Sequence, residues 1–184
     1  MNYYLIAKFI HIVGALGLFM ALGVEWLSLR HAGKATTSVQ VRERLGIFRN
    51  AQRAGMPSML VVLISGFYMM ATARIGSAWI VVAFGALILL VLLGLMFTGP
   101  RMGAIRKALT MENGPVSLSL RSLLHDSRLW LTLHVRASIV LGIVFLMTVK
   151  PDLPGSLISM GVAIILGMAL SLSMKSRGPE KIQA

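Results

Sequence analysis

The chain has 184 residues, 57% of them hydrophobic and 13% charged, with a mean hydropathy of +0.81. Because soluble globular domains carry about 25% charged residues, this composition excludes an ordinary soluble domain and indicates a membrane protein. The absence of cysteine excludes disulfides, thiolate metal sites and iron–sulfur clusters. The net charge of +12 is typical of nucleic-acid binding. The basic residues lie between apolar segments, however, where membrane topology explains them, so we expect no nucleic-acid partner.

Five apolar segments follow one another along the chain, and each is long enough to cross a hydrocarbon core of about 30 Å, which takes about 20 helical residues. Because lipid offers the backbone no hydrogen-bond partner, each segment is predicted to be an α-helix. The sequence therefore predicts an all-α, polytopic transmembrane helix bundle that forms one integral membrane domain over residues 1–184. The spans are expected at about 4–27, 54–72, 78–97, 129–149 and 157–174.

Lysine and arginine are distributed unequally between the two sides of the predicted bundle. Most of them lie in two segments and a tail that we place in the cytoplasm, 28–53, 99–128 and 175–184. The opposite side receives only Lys8, Arg74 and Lys150. Because connections rich in Lys and Arg remain in the cytoplasm, the N-terminus is expected outside and the C-terminus inside. We expect a multi-pass protein of the bacterial inner (cytoplasmic) membrane, with lipid as its main partner and a homo-oligomer as an open alternative.

The first of these segments, "TTSVQVRERLGIFRNAQR" at 36–53, has the pattern of a basic amphipathic helix. Its apolar and basic residues fall on different faces: Val41, Leu45 and Phe48, and Arg42, Arg49 and Arg53. Thr37 followed by Gln40 fits a capping box that begins the helix. Two interpretations are open, a helix lying on the anionic inner membrane surface and a solvated extension of the second span.

Several residues predict where helices begin and where the chain turns. Pro57 is expected in the first turn of the second span, where proline is tolerated and marks the helix start. The stretch "ENGPVS" at 112–117 predicts a turn at its Gly-Pro pair. Asp126 or Ser127 is expected to cap the start of the fourth span. "KPDLPG" at 150–155 predicts a tight turn on the outer side, since proline interrupts helical hydrogen bonding.

Four ionisable side chains are predicted at membrane depth. Burial of an ionisable group there is energetically unfavourable, so such a residue is a candidate functional residue. The four are His11 and Glu25 in the first span and His134 and Arg136 in the fourth. At about 3.6 residues per turn, His11 and Glu25 lie on one face of their helix. Glu25 is predicted to form a structural ion pair with Arg136 that clamps the two spans together, because a partner offsets most of the cost of a buried charge. Orientation of His134 by Glu25 is also geometrically reasonable. A proton or substrate pathway through these residues is the alternative.

The two histidines are also candidate ligands for haem b. Imidazole is a common axial ligand of haem iron. Either His11 or His134 is expected to bind alone, because they lie toward opposite membrane surfaces. The alternative is a buried imidazole satisfied by a Ser, Thr or carbonyl group. Among thirteen methionines, Met56 and Met59 are candidate soft ligands for Cu(I), with ordinary apolar packing as the alternative.

Three stretches within roughly the first hundred residues carry a family resemblance. They contain a Lys-x-x-His, a Pro followed by a Gly, and a Trp that opens the third span: "KFIHIVGALGLF" at 8–19, "GMPSMLVVLISGFYMM" at 55–70, and "SAWIVVAF" leading to "GPRM" at 77–102. With them the chain resembles a family of uncharacterised bacterial integral membrane proteins, a domain of unknown function. That family is distantly similar to the membrane domain of CopD-type copper-resistance proteins and to HemJ-type protoporphyrinogen oxidases.

The resemblance implies different chemistry for the two groups. Similarity to the HemJ-type proteins implies haem b at His11, and similarity to the CopD-type proteins implies a role in copper passage. The HemJ-type aromatic, proline and arginine signature is replaced here by "MALGVEWLSLRH" at 20–31. Porphyrinogen oxidation is therefore not what this sequence indicates.

The sequence contains no Gly-rich phosphate loop, nucleophile elbow or paired carboxylates, so nothing in it indicates hydrolysis or phosphoryl transfer. We expect a non-catalytic membrane protein, either a transporter-like component or a membrane scaffold, and we identify no catalytic residue. A haem b-binding redox protein using His11 and a copper-handling membrane protein are the alternatives.

Reporter fusions test the predicted orientation. Fusions that end at Arg42 and at Arg121 are both expected to place the reporter in the cytoplasm, because both residues lie in Lys/Arg-rich segments. A fusion that ends at Asp152 is expected to place it outside. Signals from opposite sides of the membrane for the Arg42 and Arg121 fusions would contradict the five-span topology.

Overall fold

The computed structural model describes residues 3–73 and 77–175 of the chain. In chain order these residues form α1 (Tyr3–Gly33), α2 (Ser38–Ala73), α3 (Ala78–Leu93), a π-helical segment (Gly94–Thr98), α4 (Gly99–Thr110), α5 (Leu118–Leu124), α6 (Ser127–Val149) and α7 (Leu153–Lys175). Arg74 and the basic tail beyond Lys175 lie outside the described residues.

Five helical stretches within the described ranges are long and apolar enough to cross a membrane. They are Tyr3–Gly33, Ser38–Thr72, Ala78–Thr110, Leu118–Val149 and Leu153–Ser173. No β-strand occurs in the part of the chain that the structure describes. The predicted fold class, all-α with five spans, is therefore confirmed, whereas the orientation of the spans stays a prediction.

The chain divides into two compact units. The first contains α1, α2 and the loop Glu112–Ser117. The second contains Ser77–Met111 and the chain from Leu118 onward, and thus α3 to α7.

In the first unit, α1 and α2 form a long hairpin whose helices approach closely at glycines of α1. A Cβ on Gly14 would lie 2.8 Å from Cγ1 of Val61 and 3.1 Å from the carbonyl oxygen of Ser58. A Cβ on Gly17 would lie 2.6 Å from Oγ of Ser58. Small residues at a helix interface allow this approach, which maximises van der Waals contact where lipid supplies no hydrophobic driving force between helices.

The turn between α1 and α2 is held by side-chain and loop contacts. The hydroxyl of Thr37 accepts from the backbone N–H of Gln40 at 3.4 Å, and the Gln40 side-chain oxygen accepts from the N–H of Thr36 at 3.1 Å. The predicted cap by Thr37 is thus confirmed, with the return bond reaching one residue further back than a standard capping box. α2 accordingly begins at Ser38.

The loop Glu112–Ser117 attaches to this turn. The N–H of Ser38 donates to the carbonyl of Gly114 at 2.9 Å, and the N–H of Gly114 donates back to the Ser38 hydroxyl at 3.1 Å. Arg42 Nη2 donates to the carbonyl of Glu112 at 3.2 Å. Gly114 has a φ of +139°, a conformation that a residue with a Cβ rarely adopts. The turn predicted at 112–117 is therefore present.

The prediction that Pro57 marks the start of the second helix is wrong. α2 runs without interruption from Ser38 to Ala73, so Pro57 lies near its middle. Proline lacks the N–H that would bond to the carbonyl four residues earlier, yet proline is tolerated inside membrane-spanning helices. The segment 36–53 is therefore mostly a continuous extension of α2, and its apolar residues Val41 and Phe48 are fully buried.

In the second unit, the third predicted span is interrupted by a π-helical segment. The N–H of Gly99 donates to the carbonyl of Gly94, five residues earlier. Pro100 follows directly and has no N–H to continue the α-helical pattern. Helices α3 and α4 therefore form one long stretch with a locally widened turn between them.

The capping and turn predictions for the second unit are confirmed. Asp126 is the N-cap of α6, and its carboxylate accepts from the N–H of Arg128 at 2.8 Å. The same carboxylate pairs with Arg101 Nε at 2.8 Å. α6 ends at Val149, the capping residue Lys150 has a left-handed φ of +54°, and α7 begins at Leu153.

Glycine-to-alanine substitutions test the close packing of α1 on α2. Gly14→Ala is expected to lower the free energy of unfolding, because overpacking against Val61 and the Ser58 carbonyl costs about 1–3 kcal/mol and exceeds the gain of about 0.5–1 kcal/mol from helix propensity. The measurement is unfolding in detergent followed by circular dichroism. Gly23→Ala is the matched control in the same helix, since a Cβ there meets nothing within 4 Å. Equal stability of the two variants would refute the close approach at Gly14.

Candidate functional site

His11 is buried in α1, with 8% of its surface exposed. Glu25, predicted on the same face, is 3% exposed, whereas Lys8 is exposed. The face on which His11 and Glu25 were predicted to lie is thus an interior face of α1. Other buried residues of this face are Leu18 and Leu22.

The imidazole of His11 is hydrogen-bonded to α2. Nδ1 of His11 lies 3.1 Å from Oγ of Ser65. The Ser65 hydroxyl also contacts two carbonyls of its own helix, those of Val61 and Val62. When the Ser65 hydroxyl gives its one hydrogen to a carbonyl of α2, its oxygen accepts from Nδ1 of His11. In that tautomer Nδ1 carries the hydrogen and Nε2 carries the lone pair of the neutral ring.

A glycine of α2 makes room for the His11 ring. A Cβ on Gly66 would lie 3.3 Å from Cε1 and 3.6 Å from Nδ1 of His11. The imidazole therefore rests against the backbone of α2, next to the residue that accepts its hydrogen. Any larger residue at 66 would have to displace the ring by a few tenths of an ångström.

An apolar groove of about 430 Å³ runs along the same hairpin. It is lined by residues of both helices: Phe9, Ile10, Val13, Gly14, Gly17, Pro57, Ser58 and Val61. Neither His11 nor Ser65 contributes to it, so the groove and the histidine are separate features of the first unit.

His134 lies in α6, in the second unit. Its Nδ1 is 2.7 Å from the carbonyl oxygen of Trp130, one turn earlier, so this nitrogen carries the hydrogen. The centroids of the Trp130 and His134 rings are 6.1 Å apart. Gly167 of α7 packs against this turn, where a Cβ would lie 3.1 Å from the His134 carbonyl oxygen. His134 is therefore fixed by its own helix and by the close approach of α7.

Arg136 is 8% exposed and lies beside the π-helical segment. A Cβ on Gly94 would be 3.8 Å from Cζ of Arg136, so the glycine accommodates the guanidinium. One turn further along, the hydroxyl of Thr98 is fully buried and has no hydrogen-bond partner among residues 3–73 and 77–175. π-helical turns occur often at functional sites. The segment Gly94–Thr98 with Arg136 is therefore a second candidate site, beside His11.

The remaining predicted site residues lie as follows. Glu25 and Arg136 are both buried, in α1 and α6, and their ion pair stays a prediction. Met56 is 68% exposed and Met59 half-buried, three residues apart on α2. Their role in copper binding stays a prediction too. Within the described ranges, no three His, Cys, Asp or Glu side chains converge on a common metal position.

Sequence reasoning missed Ser65, Gly66 and Thr98. A serine or threonine in an apolar helix commonly bonds to a carbonyl of its own helix, so none of these residues stands out in the sequence. Only the antiparallel register of α1 and α2 brings Ser65 and Gly66 to His11.

One family model matches most of the chain. The family is described as "Predicted integral membrane protein (DUF2269)", and its model matches residues 5–151. The matched range contains His11, Ser65, His134 and Arg136. No curated protein and no solved structure matches the chain significantly.

Removal of the Ser65 hydroxyl tests the His11–Ser65 bond. Ser65→Ala is expected to lower the free energy of unfolding by about 0.5–1.5 kcal/mol, because it removes the hydroxyl partner of His11 and leaves the Val62 backbone as the remaining partner of the imidazole. Ser58→Ala is the control on the same helix, because among residues 3–73 and 77–175 the Ser58 hydroxyl bonds to the Ala54 carbonyl of its own helix, and loss of such a bond is nearly neutral. The stabilities are compared by unfolding in detergent. A Ser65→Ala variant as stable as Ser58→Ala would show that the bond contributes nothing.

Proposed function

We propose that this chain, which belongs to the DUF2269 family of integral membrane proteins, is a non-catalytic component of the bacterial inner membrane, a scaffold or a transporter-like subunit. The family description and the five apolar helices establish a multi-pass membrane protein. The biochemical role, the membrane in which it resides and its orientation are parts of the proposal.

The observation that supports the proposal is the hydrogen bond between His11 of α1 and Ser65 of α2. The imidazole hydrogen of His11 is directed at Ser65 of the neighbouring helix and the ring rests against Gly66. A polar side chain at membrane depth that finds its partner in the adjacent helix ties the two helices together. The contact supports a structural role for the residue that first suggested a cofactor.

Two buried polar groups of the second unit bond within their own helix. The hydroxyl of Thr132 donates to the carbonyl of Arg128 at 2.8 Å, and Nδ1 of His134 donates to the carbonyl of Trp130 at 2.7 Å. The Thr132 hydroxyl and Nδ1 of His134 thus have protein partners. This supports a scaffold more than a substrate pathway.

The distribution of exposed charge supports the cytoplasmic placement of the α1–α2 turn. Arg44, Arg49 and Arg53 on the first part of α2 are all exposed, and so is Lys34 in the turn. Basic residues next to a span favour the cytoplasmic side. This placement fits a bacterial inner membrane with the N-terminus outside.

Haem b binding at His11 is the second candidate, and the tautomer of His11 favours it. A histidine that binds a metal usually donates its other ring N–H to a neighbouring acceptor, which is the position that Ser65 occupies. His11 would hold the iron through Nε2 and Ser65 would orient the ring. The haem would supply one-electron redox chemistry. The residues therefore fit one axial ligand.

An absorption spectrum with metal analysis separates the two candidates. Protein purified from its native host is expected to be colourless and free of stoichiometric metal, because His11 is engaged with α2. His11→Ala is then expected to change stability and leave the spectrum unchanged. His31→Ala is the control, since His31 is an exposed histidine of the same helix.

A Soret band that disappears in His11→Ala and persists in His31→Ala would overturn the non-catalytic proposal in favour of haem binding. Stoichiometric copper that is lost on substitution of Met56 and Met59 would overturn it in favour of copper handling.

A further inference from the structure

A ridge of five exposed residues runs along one face of α2, with arginine at one end and large apolar side chains over the rest. We call it the α2 ridge, and its members are Arg49, Arg53, Met56, Leu60 and Ile64. They are separated by steps of three or four residues, which places them on a single face of a helix. Because α2 is continuous through Pro57, the ridge is continuous too.

The apolar part of the α2 ridge is open. Met56 is 68% exposed, Leu60 54% and Ile64 69%. Between Arg53 and Ile64 the helix rises by about 16 Å, at about 1.5 Å per residue. This is about half of a hydrocarbon core of about 30 Å. The stretch from Arg53 to Ile64 thus covers about one lipid leaflet, which would place Arg49 and Arg53 where its headgroups begin.

The two arginines of the ridge are exposed and available to a phosphate. In the part of the chain that the structure describes, neither arginine forms an ion pair. The nearest acid on α2 is Glu43, about 9 Å further along the axis than Arg49. Guanidinium groups bind phosphate oxygens in bidentate fashion. Two positive charges one turn apart favour a headgroup with net negative charge over a zwitterionic one.

The composition of the ridge argues against a second protein helix as its occupant. Helix interfaces in membranes are enriched in small residues that let backbones approach. The small residues of this hairpin already serve the contact of α1 with α2, where Gly14 and Gly17 face Ser58 and Val61. The α2 ridge holds only long side chains, which suit flexible acyl chains better than a second helix.

We propose that the α2 ridge binds an anionic glycerophospholipid, with the phosphate at Arg49 and Arg53 and an acyl chain along Met56, Leu60 and Ile64. The lipid occupies the leaflet at the Arg53 end of α2. This site is distinct from the apolar groove beside Gly14 and is independent of what His11 binds.

Thermal unfolding of the full chain in mixed detergent–lipid micelles tests the proposal. The probes are dioleoyl phosphatidylglycerol, dioleoyl phosphatidylcholine and inorganic phosphate. Phosphatidylglycerol is expected to raise the unfolding midpoint in a saturable manner, and the other two are not. In Arg49→Gln/Arg53→Gln, half-saturation is expected to need about thirtyfold more phosphatidylglycerol, the equivalent of about 1 kcal/mol for each arginine.

The matched control is Lys34→Gln/Arg44→Gln, which removes the same charge from exposed positions of the first unit outside the ridge. It is expected to respond to phosphatidylglycerol as the unchanged protein does. Leu60→Ala/Ile64→Ala keeps both arginines and is expected to weaken the response by shortening the apolar surface. Circular dichroism confirms that each variant is folded before comparison.

Four results would overturn the proposal. One is an equal response to phosphatidylglycerol and phosphatidylcholine, and another is an unchanged response in Arg49→Gln/Arg53→Gln. The third is stabilisation by inorganic phosphate alone, which would assign the arginines to a soluble anion. A dimeric mass by native mass spectrometry that is lost in Leu60→Ala/Ile64→Ala would also overturn it, because a second copy would then cover the ridge.

Discussion

The structure depends on one constraint: in lipid, a polar group must find its hydrogen-bond partner inside the protein. The backbone meets this requirement by forming helices over nearly all of the described residues. Side chains meet it in two ways. Thr132 and His134 bond to carbonyls of their own helix, whereas His11 reaches across to Ser65 on the adjacent one. Only the second kind of bond fixes how two helices are placed. The His11–Ser65 bond therefore helps to set the position of α1 against α2 in the first unit.

Close packing makes that contact geometrically accessible. A histidine ring spans only part of the usual distance between helix axes, so its partner must be near. Glycines at 14 and 17 on α1 bring Ser58 and Val61 close, and Gly66 on α2 leaves the space that the ring occupies. The hairpin is closed at its other end by bonds between Ser38 and Gly114. The two kinds of contact are thus complementary. The glycines allow the two helices to approach closely, and the directional hydrogen bond of His11 fixes where they meet.

The same constraint separates the functional candidates. A histidine whose Nδ1–H donates to a serine can serve as a structural link between two helices. The same bond also orients the ring so that Nε2 could bind a metal. The two roles differ in what Nε2 contacts. The α2 ridge presents the opposite situation. Its apolar residues face outward and its arginines have no acidic partner among the described residues, which is the basis of the proposed lipid site.

The sequence by itself determined the features that are local. Apolar runs of sufficient length identified five spans, and Thr37 and Asp126 marked helix starts because a cap bonds within its own first turn. It failed at Pro57, where a local rule favours a helix start but α2 continues, and it did not predict the π-helical segment before Pro100. For the candidate site, the sequence identified His11 and the shared face with Glu25, because an ionisable residue in an apolar run is conspicuous. Only the tertiary structure identified Ser65, Gly66 and the attachment of the loop at Gly114. Ser65 and Gly66 lie 54 and 55 residues from His11 in the sequence, and Gly114 lies 76 residues from Ser38. Their register is set by the packing of whole helices, which no local sequence pattern encodes.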